Sequence, residues 1–274
     1  MSNNILKGKK GIIFGALDHK SIAWKVAEFA YNEGASFVLS NAPIALRMGT
    51  IHELAEKTNS TIVQADATST DDLKKLFKTA IEELGGKIDF ILHSIGMSIN
   101  VRKGNAYYNQ NYDYTIKGYD ISALSFHKTL QTAWDLDALN EWASVIGLSY
   151  IASQRVFDTY NDMADNKAVL ESIARSFGYH YGLRRKVRVN TISQSPTPTT
   201  AGSGVKGFDG FYKFSNDLAP LGNATVEDCA NYCVSLFSDY TRKVTMQNLF
   251  NDGGFSFMGM SKVVMEAYMK SVKK

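Results

Sequence analysis

Tyr160 and Lys167 are the two side chains of this 274-residue sequence whose types and spacing best suit catalysis. A phenol can hydrogen-bond a substrate oxygen on which negative charge develops, and a nearby ammonium favours its ionised form. On one helix, a step of seven residues spans about two turns, so both side chains would project into one cleft. The pair predicts an acid and its helper, with the lysine also placed to hold a cofactor sugar.

A second pair with the same spacing, Tyr179 and Lys186, shows that spacing alone is weak evidence in a chain with 14 tyrosines. Gly182 and the basic residues that follow it predict a helix end and a loop before the next strand. Tyr179 and Lys186 should then not share a helical face, which leaves Tyr160 and Lys167 as the candidate pair.

Short β-branched or aromatic runs alternate with amphipathic helical stretches along the chain, which is typical of a parallel sheet covered on both faces. The sequence predicts one domain over residues 1–274 with an α/β fold, a doubly wound, seven-stranded parallel sheet of the Rossmann type. The predicted strands are residues 11–15, 36–40, 61–64, 89–93, 144–148, 187–192 and 244–249, and two clear helices are residues 22–33 and 71–84.

The turn after the first strand is a candidate nucleotide-binding loop. Gly15 ends the strand, and Ser21 is placed to cap the next helix, which would leave backbone N–H groups for a pair of phosphates. The loop lacks the Gly-x-Gly-x-x-Gly spacing, so an ordinary strand-to-helix turn is the alternative. A nucleotide loop upstream of Tyr160 and Lys167 indicates a reductase.

Two later turns support a nucleotide site at the same edge of the sheet. Asp66 and Ala67 follow the third strand, where the carboxylate could bond to an adenine edge. Gly96, in the run His93-Ser94-Ile95-Gly96 after the fourth strand, would let the backbone pass close to a cofactor. The alternatives are that Asp66 caps a helix and that Gly96 only forms a turn.

Composition and residue spacing exclude several classes of function. A net charge of +3 is too small for a nucleic-acid-binding surface, and no stretch approaches the about 20 apolar residues of a membrane span. The first residues lack an apolar signal core, which predicts a cytoplasmic protein. The spacing of Cys229 and Cys233 predicts packing residues, and the five histidines show no metal-ligand spacing.

The sequence resembles bacterial enoyl-acyl-carrier-protein reductases, a divergent NAD-dependent group of short-chain dehydrogenases, over nearly its whole length. The motifs that carry the resemblance are Gly15-x5-Ser21-Ile22-Ala23, His93-Ser94-Ile95-Gly96, Asp120-Ile121-Ser122, Ser149-Tyr150, Tyr160-x6-Lys167, Arg188-Val189-Asn190 and Asp252-Gly253-Gly254, with Ser193-Gln194-Ser195-Pro196-Thr197 similar to Bacteroidetes members. The resemblance implies reduction of trans-2-enoyl thioesters on acyl carrier protein in type II fatty-acid synthesis, by hydride transfer from a nicotinamide cofactor through an enolate that tyrosine stabilises.

The resemblance also implies which residues form the site. Tyr150, Tyr160 and Lys167 would be catalytic, and the substrate would lie near Ser98, Tyr150 and Tyr160. No metal is implied. The cofactor contacts would be made by Gly15, Ser21, Ile22, Asp66, Ala67, Ser94, Ile95, Gly96, Lys167, Thr197, Pro198, Thr199, Thr200 and Ala201.

Residues 197–217 are rich in glycine, serine and aromatic residues and predict a mobile, substrate-binding lid over an acyl channel. A disordered surface loop is the alternative. By the resemblance, Lys206 would contact the acidic carrier protein, and the chain would assemble as a homotetramer. The aromatic side chains able to face the acyl chain are Phe208, Phe211, Tyr212 and Phe214.

The sequence leaves alternatives open for both the cofactor and the reaction. The run Ser40-Asn41-Ala42-Pro43 offers neither a carboxylate for a ribose 2′-hydroxyl nor an adjacent cation for a 2′-phosphate, so NADH is favoured and NADPH is the alternative. A 3-oxoacyl or other carbonyl reductase of the same fold is the first rival function, although no tyrosine here has the usual lysine four residues on. A non-catalytic nucleotide-sensing protein is the second, and retention of Tyr160 and Lys167 counts against it.

Overall fold

One sheet of seven strands forms the centre of the protein, as seen in a computed structural model that describes residues 3–200, 202 and 207–272. The strands are β1 (Lys10–Phe14), β2 (Ser36–Ser40), β3 (Thr61–Ile62), β4 (Ile88–His93), β5 (Leu139–Ser149), β6 (Arg188–Gln194) and β7 (Asn248–Asn251). Their order is β3-β2-β1-β4-β5-β6-β7, and all neighbours are parallel. The predicted α/β, doubly wound Rossmann-type fold is confirmed.

Strand β2 has its predicted bounds, β1, β4 and β6 differ from theirs by one or two residues, and β3, β5 and β7 differ for identifiable reasons. β3 has only two residues because it lies at the edge of the sheet, where it pairs with β2 on one side. β5 has 11 residues, since it lies between β4 and β6 and bonds to both. β7 begins at Asn248 rather than at 244 because Met246 adopts a φ of 63°, which interrupts extended backbone.

Helices cover both faces of the sheet, and the two predicted ones are confirmed to within a residue. Helices α4, α7 and α8 pack on one face, through side chains such as Phe77 and Leu170, and α1, α3 and α10 pack on the other. Of the helices in the described ranges, none has the length and apolar character needed to cross a membrane. The helices are α1 (Ile22–Asn32), α2 (Pro43–Met48), α3 (Ile51–Lys57), α4 (Thr70–Glu83), α5 (Ile99–Lys103), α6 (Tyr112–Tyr119), α7 (Ser125–Asp135), α8 (Asp162–Arg185), α9 (Phe208–Leu218), α10 (Val226–Phe237) and α11 (Lys262–Val272).

Arg188 ties the sheet to the end of α10. Its guanidinium is 1% exposed and donates to the carbonyl oxygens of Leu236 at 2.8 Å and Ser238 at 3.2 Å. These carbonyls lie at the carboxyl end of a helix, where backbone acceptors lack helical partners and a cation is favourable. Burial lowers the pKa of Arg188 to about 10, so the group remains charged at neutral pH.

The strand order places a crevice beyond the carboxyl ends of β1 and β4. The chain leaves β1 toward β2 on one side and leaves β4 toward β5 on the other, and ligands of doubly wound sheets bind where this order reverses. Phe14 of β1 pairs with His93 of β4, so the turns that begin at Gly15 and Ser94 meet at this crevice.

Gly15 permits the close approach of these two turns. Its φ of +92° lies in the left-handed region that glycine adopts without steric cost. A Cβ atom at this position would lie 2.0 Å from the backbone oxygen of Ser94, far inside contact distance. A larger residue would therefore have to displace the turn after β4.

We expect Gly15→Ala to lower the free energy of unfolding by about 2 kcal/mol or more, because it combines backbone strain with a clash against backbone. The measurement is urea unfolding followed by circular dichroism. Gly182→Ala is the matched control, since Gly182 lies in α8 with nothing within 4 Å of its added Cβ. That control should be neutral or stabilising by up to about 1 kcal/mol. Equal stability of the two variants would contradict the close approach.

Candidate active site

A cleft with a volume of about 250 Å³ opens at the carboxyl ends of β4, β5 and β6. It brings together predicted residues from five separated stretches of the chain. Gly15, Ser21, Asp66, Ala67, Pro198 and Thr200 do not line it. Its walls are formed by Ile22, Ser94, Ile95, Gly96, Met97, Ser98, Val101, Arg102, Leu148, Ser149, Tyr150, Tyr160, Met163, Lys167, Gln194, Ser195, Pro196, Thr197, Thr199, Gly202, Phe208 and Phe211.

Tyr160 does not lie on the helix that carries Lys167, which corrects the reasoning from helical spacing. It sits in a turn, and α8 begins only at Asp162, after Asn161 as the N-cap residue. Asn161 has φ 47° and ψ −137°, so the chain changes direction between Tyr160 and the helix. Tyr160 and Lys167 line the same cleft all the same, because this turn carries Tyr160 back over the start of α8.

Polar side chains from the segment after β4 hold the start of α8. Asn161 donates to the carbonyl oxygen of Asn105 at 2.5 Å and accepts from Gln110 at 2.6 Å. The Asp162 carboxylate is fully buried and accepts a hydrogen bond from Asn100 at 2.9 Å. Buried polar groups with their partners in place fix the geometry around them, so this network positions the turn that carries Tyr160.

Ser98, expected near the substrate, lines the cleft but has its hydroxyl engaged. The hydroxyl donates to Asp162 at 2.5 Å and accepts from the backbone N–H of Val101 at 3.0 Å. This makes Ser98 the N-cap residue of α5. Through these two bonds Ser98 shapes the wall of the cleft, and its contact with substrate stays a prediction.

Tyr150 and Tyr160 face each other in an aromatic group at one end of the cleft. Their ring centroids lie 5.0 Å apart, and Phe157 and Phe211 lie 5.3 and 6.1 Å from Tyr150. The Tyr150 hydroxyl is buried without a hydrogen-bond partner among the described residues. A buried hydroxyl without a partner is costly, so this oxygen marks a position where a ligand would be stabilised.

Burial raises the pKa of both phenols above the ordinary value for tyrosine. This differs from the expectation that Lys167 would favour the ionised phenol of Tyr160. The ammonium instead donates to the carbonyl oxygen of Leu148 at 2.7 Å. Tyr160 is therefore a neutral hydrogen-bond donor at physiological pH.

Lys167 lies at the floor of the cleft and is 7% exposed. Burial lowers its pKa to about 8, and the negative charge of Glu171 acts in the opposite direction. An ammonium has three donors, of which the bond to Leu148 uses one. The remaining donors are available to a ligand in the cleft.

Glu171 is a residue that the sequence analysis missed. Its carboxylate is 5% exposed and accepts hydrogen bonds from Ser149 at 2.6 Å and from Ser153 at 2.5 Å. The available signal was its position four residues after Lys167, which places the two side chains on one face of a helix. The spacing of Lys167 and Glu171 identifies a site residue only when the helical face that carries both side chains is buried.

His93 is the last residue of β4, and its side chain is fully buried. Burial and the nearby charge of Lys167 lower its pKa to about 3, so the imidazole is neutral. Nε2 lies 2.8 Å from the Ser125 hydroxyl, and the ring packs on Phe126 at 5.1 Å. His93 therefore supports the turn after β4 from below.

A single π-helical turn at Asp120–Leu124 fixes the segment that follows β4. Ser122 within it accepts from the backbone N–H of Met97 at 2.9 Å and donates to the Met97 carbonyl oxygen at 3.0 Å. Turns of this kind are frequent at functional sites. The Asp120-Ile121-Ser122 motif thus acts through the position of Met97, a cleft residue.

Ser21 occupies the N-cap position of α1, but its hydroxyl does not cap the helix, which corrects that expectation. The hydroxyl donates to the carbonyl oxygen of Asp18 at 2.6 Å and accepts from the backbone N–H of Leu17 at 3.2 Å. Ser21 therefore stabilises the loop before the helix. Ile22, the first residue of α1, reaches the cleft.

Asp66 forms a local turn between β3 and α4 and does not cap the helix, whose N-cap residue is Ser69, so the alternative of a helix cap is wrong. Its Oδ1 accepts from the backbone N–H of Thr68 at 2.9 Å and from the Thr68 hydroxyl at 2.8 Å. Ala67 beside it is buried. The role of Asp66 toward an adenine ring stays a prediction.

The segment after β6 lies over the cleft. Thr197 and Thr199 line it, and the Thr200 hydroxyl donates to the Asp18 carboxylate of the nucleotide loop at 2.6 Å. Pro198 is exposed. Ala201 and Lys206, both named in the sequence analysis, lie outside the described residues.

Residues 208–217 of the predicted lid belong to helix α9, which ends one residue later at Leu218. Phe208 and Phe211 line the cleft, as expected for residues facing an acyl chain. Tyr212 packs instead on Phe208, with ring centroids 5.8 Å apart, and Phe214 is 47% exposed. The sequence thus indicated that this wall is aromatic, and two of the four predicted side chains, Phe208 and Phe211, form it.

Within the described ranges, no three His, Cys, Asp or Glu side chains come together in a way that could hold a metal ion. Cys229 and Cys233 are buried free thiols, as their spacing predicted. Tyr179 is 55% exposed on α8 and Lys186 is its left-handed C-cap, so this second pair does not form a site.

Comparison with known proteins places the chain among reductases. A family model described as "Enoyl-(Acyl carrier protein) reductase" matches residues 15–256. "Enoyl-[acyl-carrier-protein] reductase [NADH] 1" of Rhizobium meliloti (strain 1021) is 31% identical over 264 residues, which cover 96% of this chain and 95% of the relative. The corresponding FabI enzyme of Bacillus subtilis (strain 168) is 29% identical over 92% of this chain and 98% of its own length.

Solved structures give the same result. The FabI–NADH complex from Alistipes finegoldii is 61% identical, covers 97% of this chain and 94% of its own, and superposes with a TM-score of 0.95. The Bacillus cereus enoyl-acyl carrier protein reductase with NADP+ and indole naphthyridinone is 28% identical over 95% of this chain and 100% of its own, with a TM-score of 0.87. The cleft, the fold and the family model agree, and the chain belongs to the enoyl-acyl-carrier-protein reductase family.

Proposed function

We propose that the protein reduces the trans-2 double bond of enoyl thioesters carried on acyl carrier protein, with NADH as reductant, in type II fatty-acid synthesis. The observation that carries this proposal is the convergence of Tyr150, Tyr160 and Lys167 on one cleft at the carboxyl ends of the central strands. Membership of the enoyl-acyl-carrier-protein reductase family supports the reaction. The NADH complex of the Alistipes finegoldii enzyme supports the cofactor.

The residues of the cleft fit a nicotinamide cofactor. A Cβ on Gly96 would lie 3.6 Å from Lys167 Nζ and 3.4 Å from Met163 Cε, so the glycine keeps the approach to Lys167 open. The unpartnered Tyr150 hydroxyl adds a polar group to the wall. When bound, NADH supplies the hydride that adds to the β-carbon of the substrate.

Tyr160 is the proposed donor to the thioester oxygen, where negative charge develops as an enolate. Its raised pKa keeps the proton on the phenol, so the hydroxyl donates a hydrogen bond instead of repelling that charge. Tyr150 forms the second polar wall, and Lys167 holds the nicotinamide ribose. Removal of such a donor costs about 10²–10³-fold in turnover in other enzymes.

The other cofactor contacts are proposed from the family resemblance and from their position at the crevice. The turns after β1, β3 and β4 and the segment after β6 all begin at the same edge of the sheet, where parallel strands end. The proposed contacts are Gly15, Ser21, Ile22, Asp66, Ala67, Ser94, Ile95, Gly96, Thr197, Pro198, Thr199, Thr200 and Ala201.

Three wider features are part of the same proposal. Residues 197–217 act as a lid within a single domain of residues 1–274, and the apolar faces of Phe208 and Phe211 toward the cleft support contact with an acyl chain. Lys206 contacts the acidic carrier protein. The protein works in the cytoplasm as a homotetramer, which the family resemblance implies.

The test is a set of parallel assays of nicotinamide absorbance with enoyl and 3-oxoacyl thioesters and with NADH or NADPH. NADH oxidation with the enoyl substrate alone is the expected result. Oxidation with only the 3-oxo compound would replace the proposal by a carbonyl reductase, and cofactor binding without turnover of either would replace it by a nucleotide sensor.

Replacing the Tyr160 hydroxyl should separate turnover from cofactor binding. We expect Tyr160→Phe to lower kcat by about 10²–10³-fold, because the substrate oxygen loses its donor. NADH affinity, measured by fluorescence titration, should stay nearly unchanged. Tyr240→Phe, at a ring that is 83% exposed, is the matched control and should keep full turnover. Full activity of Tyr160→Phe would remove this residue from the mechanism.

Replacing Lys167 should affect both properties together. We expect Lys167→Ala to weaken NADH binding and to lower kcat, because one side chain both holds the ribose and supplies the positive charge of the site. Lys262→Ala, at a side chain that is 89% exposed, is the control. A Lys167→Ala protein with unchanged NADH affinity would contradict the proposed cofactor contact.

Affinity for NADH should depend on pH through Lys167. Burial lowers the pKa of this ammonium to about 8, so it is charged below that pH and neutral above it. We therefore expect NADH to bind more weakly as the pH rises through about 8, measured by fluorescence titration on both sides of this value. The same decline should be absent in Lys167→Ala, and an identical decline in that variant would assign the effect to another group.

A further inference from the structure

The end of β5 is held by two consecutive residues, each bonded to α8. The Leu148 carbonyl oxygen accepts from Lys167 Nζ at 2.7 Å, and the Ser149 hydroxyl donates to Glu171 Oε1 at 2.6 Å. Lys167 and Glu171 are one helical turn apart on the same face of α8. The next residue of the strand end is Tyr150, whose ring faces Tyr160.

Glu171 accepts further hydrogen bonds besides the one from Ser149 at the end of the strand. Ser153, in the short helical turn after Tyr150, donates to Oε1 at 2.5 Å, and Gln154 Nε2 lies 3.4 Å from Oε2. The carboxylate therefore gathers residues from both sides of Tyr150. A buried carboxylate stays ionised only where donors and cations replace water around it.

We propose that Glu171 is a positioning residue that keeps the buried Lys167 ammonium protonated and fixes the strand end that carries Tyr150. Lys167 and Glu171 bond to the end of β5 instead of to each other, and the charge of Glu171 acts on the ammonium across one turn of the same helical face. The consequence for NADH rests on the proposed function of Lys167.

The other ionisable groups around Lys167 do not supply this negative charge. His93 on β4 is neutral, since burial and Lys167 lower its pKa to about 3. Tyr150 at the end of β5 and Tyr160 in the turn before α8 are neutral phenols, because burial raises the pKa of each. Arg102 on α5 lines the same cleft with a positive charge.

Two carboxylates near the start of α8 have partners elsewhere. Asp162 accepts from Ser98 and Asn100, and Asp165 lies 3.3 Å from the Tyr107 hydroxyl. Glu171 is the carboxylate whose charge raises the pKa of Lys167 against the effect of burial. Loss of that charge should release the full effect of burial on the ammonium.

The experiment measures the ionisation of Lys167 directly, by NMR of protein labelled with ¹³C and ¹⁵N in its lysine side chains. The Lys167 signal is identified by its loss in Lys167→Arg. In Glu171→Gln, which has nearly the same shape, we expect the titration midpoint of Lys167 to fall by about 1 pH unit, in line with typical effects of one neighbouring charge. An unmoved midpoint would overturn the proposal.

Asp165→Asn is the matched control for net charge. Asp165 lies on the same helix two residues before Lys167 and therefore points to another face. Its replacement should leave the midpoint of Lys167 nearly unchanged, and a shift as large as that of Glu171→Gln would also overturn the proposal. If Glu171→Gln does not fold, Glu171→Asp provides the test, because it withdraws the charge by one methylene and should produce a smaller shift in the same direction.

Ser149→Ala tests the hydrogen bond between Ser149 and Glu171 separately from the negative charge of Glu171. It removes one donor to Glu171 but leaves the carboxylate, so we expect the Lys167 midpoint to stay close to that of the unchanged protein. Turnover should fall while NADH affinity is retained, because Tyr150 loses part of its support. Unchanged turnover would overturn the role of Glu171 in positioning Tyr150.

The pH dependence of NADH affinity connects the two proposals and keeps them distinguishable. In Glu171→Gln the loss of affinity should begin about 1 pH unit lower, following the ammonium. An NMR shift without any change in the affinity profile would sustain the ionisation inference and overturn the cofactor role of Lys167. A changed affinity profile without an NMR shift would overturn the inference about Glu171.

Discussion

The parallel pairing of β1 with β4 is the constraint on which the rest of the structure depends. Because the chain turns away from this pair in opposite directions, a crevice has to form beyond the carboxyl ends of the strands. Gly15 lets the two turns touch at the Ser94 carbonyl, and the second turn continues to Met97, which Ser122 fixes by two hydrogen bonds. The cleft is then completed by β5, β6 and α8, whose positions follow from the same sheet.

Exclusion of water from the floor of the cleft determines how its polar groups behave. Lys167 is 7% exposed and His93 is fully buried, and each has a hydrogen-bond partner inside the protein. Electrostatic interactions in such surroundings are stronger than in water, because little solvent screens them. A neutral phenol at Tyr160 is therefore an effective donor to an oxygen that gains charge, and the burial that makes it a weak acid also strengthens its hydrogen bond.

Much of the architecture was predictable because it depends on local pattern. Alternating buried strands and helices allow few topologies, and the carboxyl ends of parallel strands share one edge, so the position of the crevice followed from the strand assignments. The path of the chain between Tyr160 and α8 was not predictable, because the positive φ of Asn161 is stabilised by the Asn105 carbonyl oxygen and the Gln110 side chain, about 50 residues earlier. Glu171 was missed for a similar reason, since its meaning depends on burial against β5.

Cys229 and Cys233 are the two cysteines of the sequence, and both lie on α10 in the core against the sheet. Burial raises the pKa of Cys233 well above the usual range, and a protonated, enclosed thiol reacts slowly with electrophiles. The folded protein thus carries no accessible thiol of its own. A single cysteine introduced on the outer face of α9 would accept a fluorophore or spin label selectively, so distances across the cleft could be followed in solution with the native sequence otherwise intact.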